Sequence, residues 1–368
     1  MLERFSGPMV ELYNQIELEM LKKLGKALYF KTELLEEDPE AWMVQQLQMM
    51  GMLDQQNIRI LQQYSGKTVQ EINAMLVGSG VYDLEETEED IKDAIINGAQ
   101  LAVPPPINQS PQILAIMDAY QAQAASKMNL VNTTLLDQSK QVYIDGLNKA
   151  ALEVRAGFKS HDQVLREVIK GWVDKGVPAL IRSDGAKLGV EGYVRTVVIS
   201  TMNNMTNELQ DQRNIDYGIE LVEISSHAGN RPGCRPYAGK VFSLQPNHPR
   251  FPYLYDRGIG RIGDPDSLFG INCGHKKYAF VEGMSERTYK PPKSEKEDQK
   301  IYEQSQMQRK LERDIRKAKN QLAVFEAAND NEGIKESKQL IRDRQLKMKE
   351  FIEATGRTRR NYREQIHT

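Results

Sequence analysis

Four side chains in this sequence have the types that a metal centre needs: His227, Cys234, Cys273 and His275. Thiolates and neutral imidazoles are ordinary ligands of tetrahedral zinc. In an extended segment residues two apart face the same side, so Cys273 and His275 can point one way together. The set takes up both cysteines of the chain. Its spacings, six residues between His227 and Cys234 and one between Cys273 and His275, are not those of a zinc finger. Three readings therefore stay open: a structural zinc ion, a Cys234–Cys273 disulfide, and two small buried thiols beside hydrogen-bonded histidines. A segment rich in Gly and Pro buries little apolar surface, which is the physical reason a metal would steady it. The same four groups are also the start of a different reading, a zinc-dependent enzyme acting on nucleic acid or protein. That reading needs a general base, and His248 and Asp264 are the nearby candidates, neither inside a supporting motif.

Other chemistry is thinner. Gly258-Ile-Gly260-Arg-Ile-Gly263 has the spacing of a dinucleotide-binding loop, but turn-forming residues stand on both sides of it where a strand and a helix are required. Asp264-Pro265-Asp266 reads as a turn and not as a cation site. The sequence contains no phosphate-cradling loop ending in Gly-Lys-Ser/Thr, no nucleophile elbow and no two-histidine zinc-protease helix. Arg357, Arg359, Arg360 and Arg363 crowd the C-terminal tail. They are candidates for contact with DNA, because guanidinium groups neutralise phosphates. Tyr362 is the lone aromatic among them, too few for a base-stacking surface.

The elements that must carry these residues are mostly helical. Leu12, Ile16, Met20 and Leu24 recur every four positions and predict a first amphipathic helix. Asp38-Pro39 predicts the start of a second, expected to end at Ser65-Gly66. Two short helices are expected near 68–77 and 86–97, split by Gly78-Ser-Gly80. Glu85, Glu86, Glu88, Glu89 and Asp90 would then sit at the favourable end of the latter's dipole. The prolines of Val103–Pro111 mark a boundary. Helices are expected over 112–126, 130–156 and 161–175, the last capped by Ser160, and then over 190–216. Strands are expected over 219–224, 240–244 and 276–281. Residues 225–292 hold 8 of the 15 prolines, 9 glycines and three of the five histidines, the composition of a long functional or clamped loop. From Lys293 the spacing of Leu311, Ile315, Ala318, Leu322 and Phe325 predicts a helical hairpin turning at Asn329–Gly333. The fold class is thus α+β, predominantly α-helical. It comprises an acidic helical N-terminal region (1–103), a helical middle region (104–190), a small loop-rich α+β core (191–292) and a basic helical hairpin with its tail (293–368).

Composition excludes several classes. With 40% hydrophobic and 27% charged residues in 368, the chain can bury a core. No apolar run approaches the roughly 18 residues of a membrane span, and no membrane partner is expected. The first residues show no basic-then-apolar secretory pattern. Two cysteines cannot make a disulfide scaffold, which points to synthesis in a reducing cytoplasm. Net charge is −2, yet residues 1–100 carry 8 Lys and Arg against 18 Asp and Glu, while residues 285–368 carry 21 against 15. Such a gradient implies different neighbours for the two ends, or contact between copies in an oligomer.

Ser225-Ser-His227-Ala-Gly-Asn-Arg231-Pro-Gly-Cys234-Arg-Pro-Tyr237-Ala-Gly239-Lys240 and Gly270-Ile-Asn272-Cys273-Gly-His275-Lys-Lys-Tyr278 together resemble the phage minor capsid protein 2 family, relatives of the Mu F-like head-morphogenesis proteins. The likeness also takes in Tyr193-Val-Arg195-Thr196, Tyr302–Arg313 and Phe351–Gly356. It is weak over 1–190 and specific over 191–356. The resemblance implies a structural component of the virion head of a tailed bacteriophage, made in the host cytoplasm and present in few copies. Its implied partners are the portal or the major capsid protein, and its implied role is head assembly, packaging or genome delivery. It maps the family's Cys and His positions onto His227, Cys234, Cys273 and His275. Arg231, Gly239, Lys240 and Asn272 frame the motifs. No catalytic residue carries over.

Overall fold

The computed structural model describes residues 2–366 apart from 158 and 293. Lys293, where the C-terminal helices were expected to begin, and His367 and Thr368 at the end of the tail lie outside the described residues. The chain runs through α1 (Leu2–Leu28), α2 (Thr32–Glu37), α3 (Pro39–Ile96), α4 (Pro111–Arg155), α5 (His161–Lys175), β1 (Pro178–Ile181), β2 (Lys187–Gly189), α6 (Val190–Tyr217), β3 (Leu221–Ile224), β4 (Val241–Ser243), β5 (Lys277–Phe280), α7 (Glu295–Ala328) and α8 (Asn331–Thr355). It is the expected α+β fold dominated by helices. None of the described helices is long and apolar enough to cross a membrane.

Several ends fall where local chemistry puts them. The Asp38 carboxylate accepts from the Glu40 and Ala41 amides at 3.1 and 3.0 Å and caps α3, with Pro39 in its first turn. Ser160 and Gln163 form a reciprocal capping box at the start of α5. Asn329 takes a left-handed conformation, φ 58°, and the Asp330 carboxylate accepts from the Gly333 amide at 2.9 Å to start α8.

The acidic N-terminal region departs from expectation. Instead of stopping at Ser65-Gly66 and restarting twice, α3 continues for 58 residues. Gly66 continues the helix with open space around it, while Gly78 and Gly80 are packing sites and not turns. A Cβ on Gly78 would stand 2.7 Å from the Phe5 ring, and one on Gly80 would stand 2.9 Å from Leu209 and Met205. Glycine costs a helix about 1 kcal/mol relative to alanine, and here the close approach it permits offsets that. The cluster Glu85 to Asp90 therefore lies near the C-terminal end of α3, the unfavourable end of the dipole. Partners hold it instead: buried Glu88 pairs with Arg213, and neighbouring Asp83 pairs with Lys276. Burial, followed by like-charged neighbours, pushes the Glu86 and Asp90 carboxyls up. Likewise 112–126 and 130–156 form one helix, α4, because Lys127-Met-Asn129 shifts the apolar stripe without containing a breaker.

The chain divides into two units, each assembled from three separate stretches. One comprises Met1–Pro8, Val69–Lys127 and Arg195–Gln306, the other Met9–Thr68, Met128–Val194 and Met307–Thr368. In the second unit the α1 stripe (Tyr13, Ile16, Met20, Leu24) is buried, as are Trp42, Tyr143, Val164, Trp172 and Phe325. Buried polar tips are satisfied: the Tyr143 hydroxyl donates to Gln46 Oε1 at 2.7 Å, and Trp172 Nε1 donates to the Val142 carbonyl at 3.1 Å. This unit also holds the two-stranded β1–β2 sheet, which the sequence reading missed although Asp184-Gly185 is a hairpin signal.

Glu17 sits in the same unit, its Oε1 accepting from the Val177 amide at 2.7 Å. Burial raises its carboxyl to about 7; the amide bond and Lys317 pull the other way, and Glu191 adds to the rise. The folded state thus holds this proton more tightly than the unfolded chain, so stability falls as pH rises from the ordinary carboxylate range through 7. Glu17→Gln, which keeps the acceptor oxygen, is expected to leave the melting midpoint unchanged near pH 4.5. At pH 8 it should gain on the order of 2 kcal/mol, as read from denaturant titrations at both pH values.

The first unit contains a three-stranded antiparallel sheet in the order β4-β3-β5. All four residues of β3 are buried. Val222 and Ile224 face a cluster with Cys234, Tyr237, Phe242, Leu254, Leu268 and Cys273. Glu223, on the alternate side, accepts from the Thr288 and Tyr289 amides at 3.0 and 2.9 Å.

Candidate functional site

The cysteines and one of the two candidate histidines meet in that cluster. Cys234 sits in a tight turn, its amide bonded to the Arg231 carbonyl at 2.8 Å. Cys273 and His275 lie on the run leading into β5. The two Sγ atoms are 4.0 Å apart as free thiols. Cys273 Sγ is 3.5 Å from His275 Nδ1. All three side chains are buried, and their ligand-type atoms lie within 4.8 Å of one another. The hydrogen bond from the Cys234 thiol, with help from His275, pulls Cys273 down to about 4, while the same bond and burial push Cys234 up.

His227 takes a different place. Its ring stacks on His275 with centroids 4.9 Å apart and 27° between planes, and its Nδ1 donates to the Ala228 carbonyl at 3.2 Å. Burial, then the neighbouring His275, lowers its pKa.

Residues outside the motif spacing orient the cluster. Asn230 is fully buried, and its Nδ2 donates to the His227 carbonyl at 2.7 Å and to Asp298 Oδ1 at 3.4 Å. Its Oδ1 must therefore accept, and His275 Nε2 donates to it at 2.8 Å. That leaves the lone pair of the neutral imidazole on Nδ1, the atom facing Cys273. Asn203 and Asn207 hold the His275 carbonyl at 3.1 and 3.3 Å from α6. Asp298, at the start of α7, also accepts from the Gly229 amide and from Arg235. Asn230 lies within the motif, but Asp298 is 68 residues further on and Asn203 and Asn207 sit on a helix, so spacing gave no sign of them.

The framing residues have structural work. Arg231 donates to the Ser267, Ile271 and Pro265 carbonyls at 2.6, 3.0 and 3.4 Å and stands 3.9 Å from Cys234 Sγ. Asn272 adopts φ 56° and binds Thr196 Oγ1 at 3.1 Å and, through its amide, Ser200 Oγ at 3.2 Å. Gly239 adopts φ 67° with the backbone of Lys290–Pro291 against it. Lys240 Nζ donates to the Pro236 carbonyl at 2.8 Å.

The candidate bases His248 and Asp264 have local contacts of their own. His248 Nδ1 accepts from the Arg250 and Phe251 amides, and the Asp264 carboxylate stands 3.9 Å from Arg261 Nη1 while its backbone carbonyl closes a turn with the Ser267 amide. No helix follows Gly258–Gly263, and Gly260 is pressed against the Tyr237 ring. The tail arginines face acceptors of their own unit. Arg359 forms two bonds with Glu364, Arg360 two with Glu312, and Arg363 stands 3.5 Å from that same carboxylate. Arg357 donates to Gln308 at 2.8 Å.

The phage minor capsid protein 2 family matches residues 1–353 of this chain. The chain belongs to that family. Membership places it in the virion as a minor component of the capsid. It is 29% identical over 344 residues to a structural protein of Lactococcus phage LL-H, covering 90% of each chain. It is also 36% identical over 121 residues to a structural protein of Lactococcus phage mv4, covering 32% of this chain and 94% of that one. No solved structure matches. The family match extends through α1 to α7 and nearly all of α8, so the N-terminal helices are as much part of the family as the Cys/His motifs are.

Proposed function

We propose that this minor capsid protein is a portal-associated, non-catalytic part of the phage head, acting in assembly, packaging or genome delivery by holding protein partners. The observation that carries the contact role is one face of α3. Between Val44 and Ile58 its exposed residues are Val44, Leu47, Gln48, Gly51, Met52, Gln55, Gln56 and Ile58, with no charge among them. The four apolar ones fall within about 140° of the helix circumference at 3.6 residues per turn. A solvated helix face in a chain that is 27% charged would be expected to carry several charges, and a run of four turns without one suits a protein interface. The non-catalytic half rests on the burial of the cysteine cluster, since a catalytic metal needs an open coordination position and a base beside it. The loop-rich region 191–292 then serves as the folded hub.

The test is incorporation. In phage carrying Leu47→Glu and Met52→Glu, both at exposed positions, the purified protein should keep its helicity and melting midpoint. Its copy number relative to the portal protein, read by mass spectrometry of purified particles, should fall about tenfold or more, a change worth about 1.4 kcal/mol per decade. Cross-links from Lys140 of α4, which pairs with Asp54 of α3, should reach the portal protein. Undiminished incorporation would remove the face from the account, and cross-links to the major capsid protein alone would move the contact off the portal.

A further inference from the structure

Two distances inside the buried cluster match an ion that would sit between its members, and the third pair, Cys234 and His275, lies within 4.8 Å. In tetrahedral zinc, with bonds of about 2.3 Å to sulfur and about 2.0–2.1 Å to nitrogen, ligand atoms stand about 3.8 Å (S to S) and about 3.6 Å (S to N) apart. Cys234 and Cys273 are separated by 4.0 Å, and Cys273 and His275 Nδ1 by 3.5 Å. Two bare thiols have no need of that edge-to-edge arrangement, and a disulfide would need the sulfurs at about 2.05 Å.

We propose that Cys234, Cys273 and His275 bind a structural Zn²⁺ ion through two thiolates and Nδ1, and that His227, whose ring nitrogens lie outside this close set, turns in to close the fourth position. Three further observations support it. Asn230 fixes the His275 tautomer that puts a lone pair on Nδ1, and Asn230 is itself locked by the His227 carbonyl and Asp298. Metal-bound histidines use an acceptor of this kind on the ring nitrogen that faces away from the ion. His227 donates from Nδ1 to the Ala228 carbonyl, so its own lone pair lies on Nε2, and its ring already packs on His275. His227 is also exposed where the other three are buried, which provides a way in for the ion. On binding, both thiol protons leave to solvent, and the Zn²⁺ charge balances the two thiolates. The ion would tie the Cys234 turn to the run entering β5, two stretches 39 residues apart that share little regular structure.

Full-length protein, purified without chelator from cells supplied with zinc sulfate, is expected to carry about one zinc per chain by elemental analysis. Cobalt(II) in its place should give the visible absorption of a tetrahedral thiolate site. Because a Cys234→Ser or Cys273→Ser variant can fail to fold, the discriminating variants are milder. Asn230→Ala should weaken zinc retention against a competing chelator by about 10–100-fold, and His227→Ala should weaken it while leaving the two-thiolate cobalt signature. A folded wild-type protein without stoichiometric zinc and without the cobalt band would overturn the site. So would a protein lighter by two hydrogens, which would mean a disulfide. Unchanged retention in His227→Ala would overturn the fourth ligand. None of these results bears on portal association, which is read from particles.

Discussion

Arg213→Ala is expected to destabilise the protein by about 3–5 kcal/mol, the range for removing one partner of a buried ion pair. Arg213 is 1% exposed. Its Nε donates to Glu88 Oε1 at 2.6 Å, and Nη2 reaches the same carboxylate. Asp216 stands 3.4 Å from Nη1, and the guanidinium lies 5.1 Å over the Tyr217 ring. Truncation leaves buried Glu88 with only the solvent-exposed Lys92, 3.6 Å from its Oε2, as a cationic partner, and that poorly compensated charge is the main source of the loss. Replacing both members with apolar residues, as in Arg213→Met with Glu88→Leu, should recover most of it, because a buried pair contributes little net stability over well-packed hydrophobes. Denaturant titration of the single and double variants checks both halves. A double variant no better than Arg213→Ala would mean that packing and not charge dominates the site.

Gly239→Ala is the second large effect, expected at about 2–5 kcal/mol. The residue adopts φ 67°, where an L side chain is disfavoured by about 1–2 kcal/mol. A Cβ there would also stand 2.4 Å from the Lys290 carbonyl carbon and 2.5 Å from the Pro291 nitrogen, and backbone cannot swing aside as a flexible side chain can. Gly263 separates the two causes. It has φ 87° but open space around its Cβ, so Gly263→Ala should lose only the conformational part. Equal losses at the two positions, measured by thermal unfolding, would contradict the steric explanation.

Legibility in the sequence followed the range of the interaction. Helix caps at Asp38 and Ser160, the turn at Asn329 and the three strands around the motifs were readable because each is decided within a few residues. Gly78 and Gly80 misled because a glycine is a stop signal locally and a packing site only in the company of Phe5, Leu209 and Met205, and Gly66 misled because a helix carries an exposed glycine at a cost of only about 1 kcal/mol. The acidic run misled for the same reason: Arg213 and Lys276, which hold Glu88 and Asp83, lie 125 and 193 residues away. At the Cys/His cluster the ligand-type residues were visible from type alone. Which histidine faces the thiols was not, because Asn230 and Asp298 decide it through bonds that no spacing encodes. The charge gradient was real in the sequence, but it does not run from one unit to the other, because the acidic residues 1–100 and the basic residues 285–368 each contribute to both units. Both Met9–Thr68 and Met307–Thr368 belong to one unit.

That interleaving has a consequence for synthesis. Neither unit can close from the stretch of chain that leaves the ribosome first. The unit built on α1 lacks α8 and most of α7 until the last sixty or so residues emerge. Until then the buried stripe Tyr13–Leu24 is an exposed apolar surface on a nascent helix. Folding therefore cannot proceed from the N-terminus domain by domain. A chain truncated near its end leaves this unit incomplete, with the apolar stripe of its first helix uncovered.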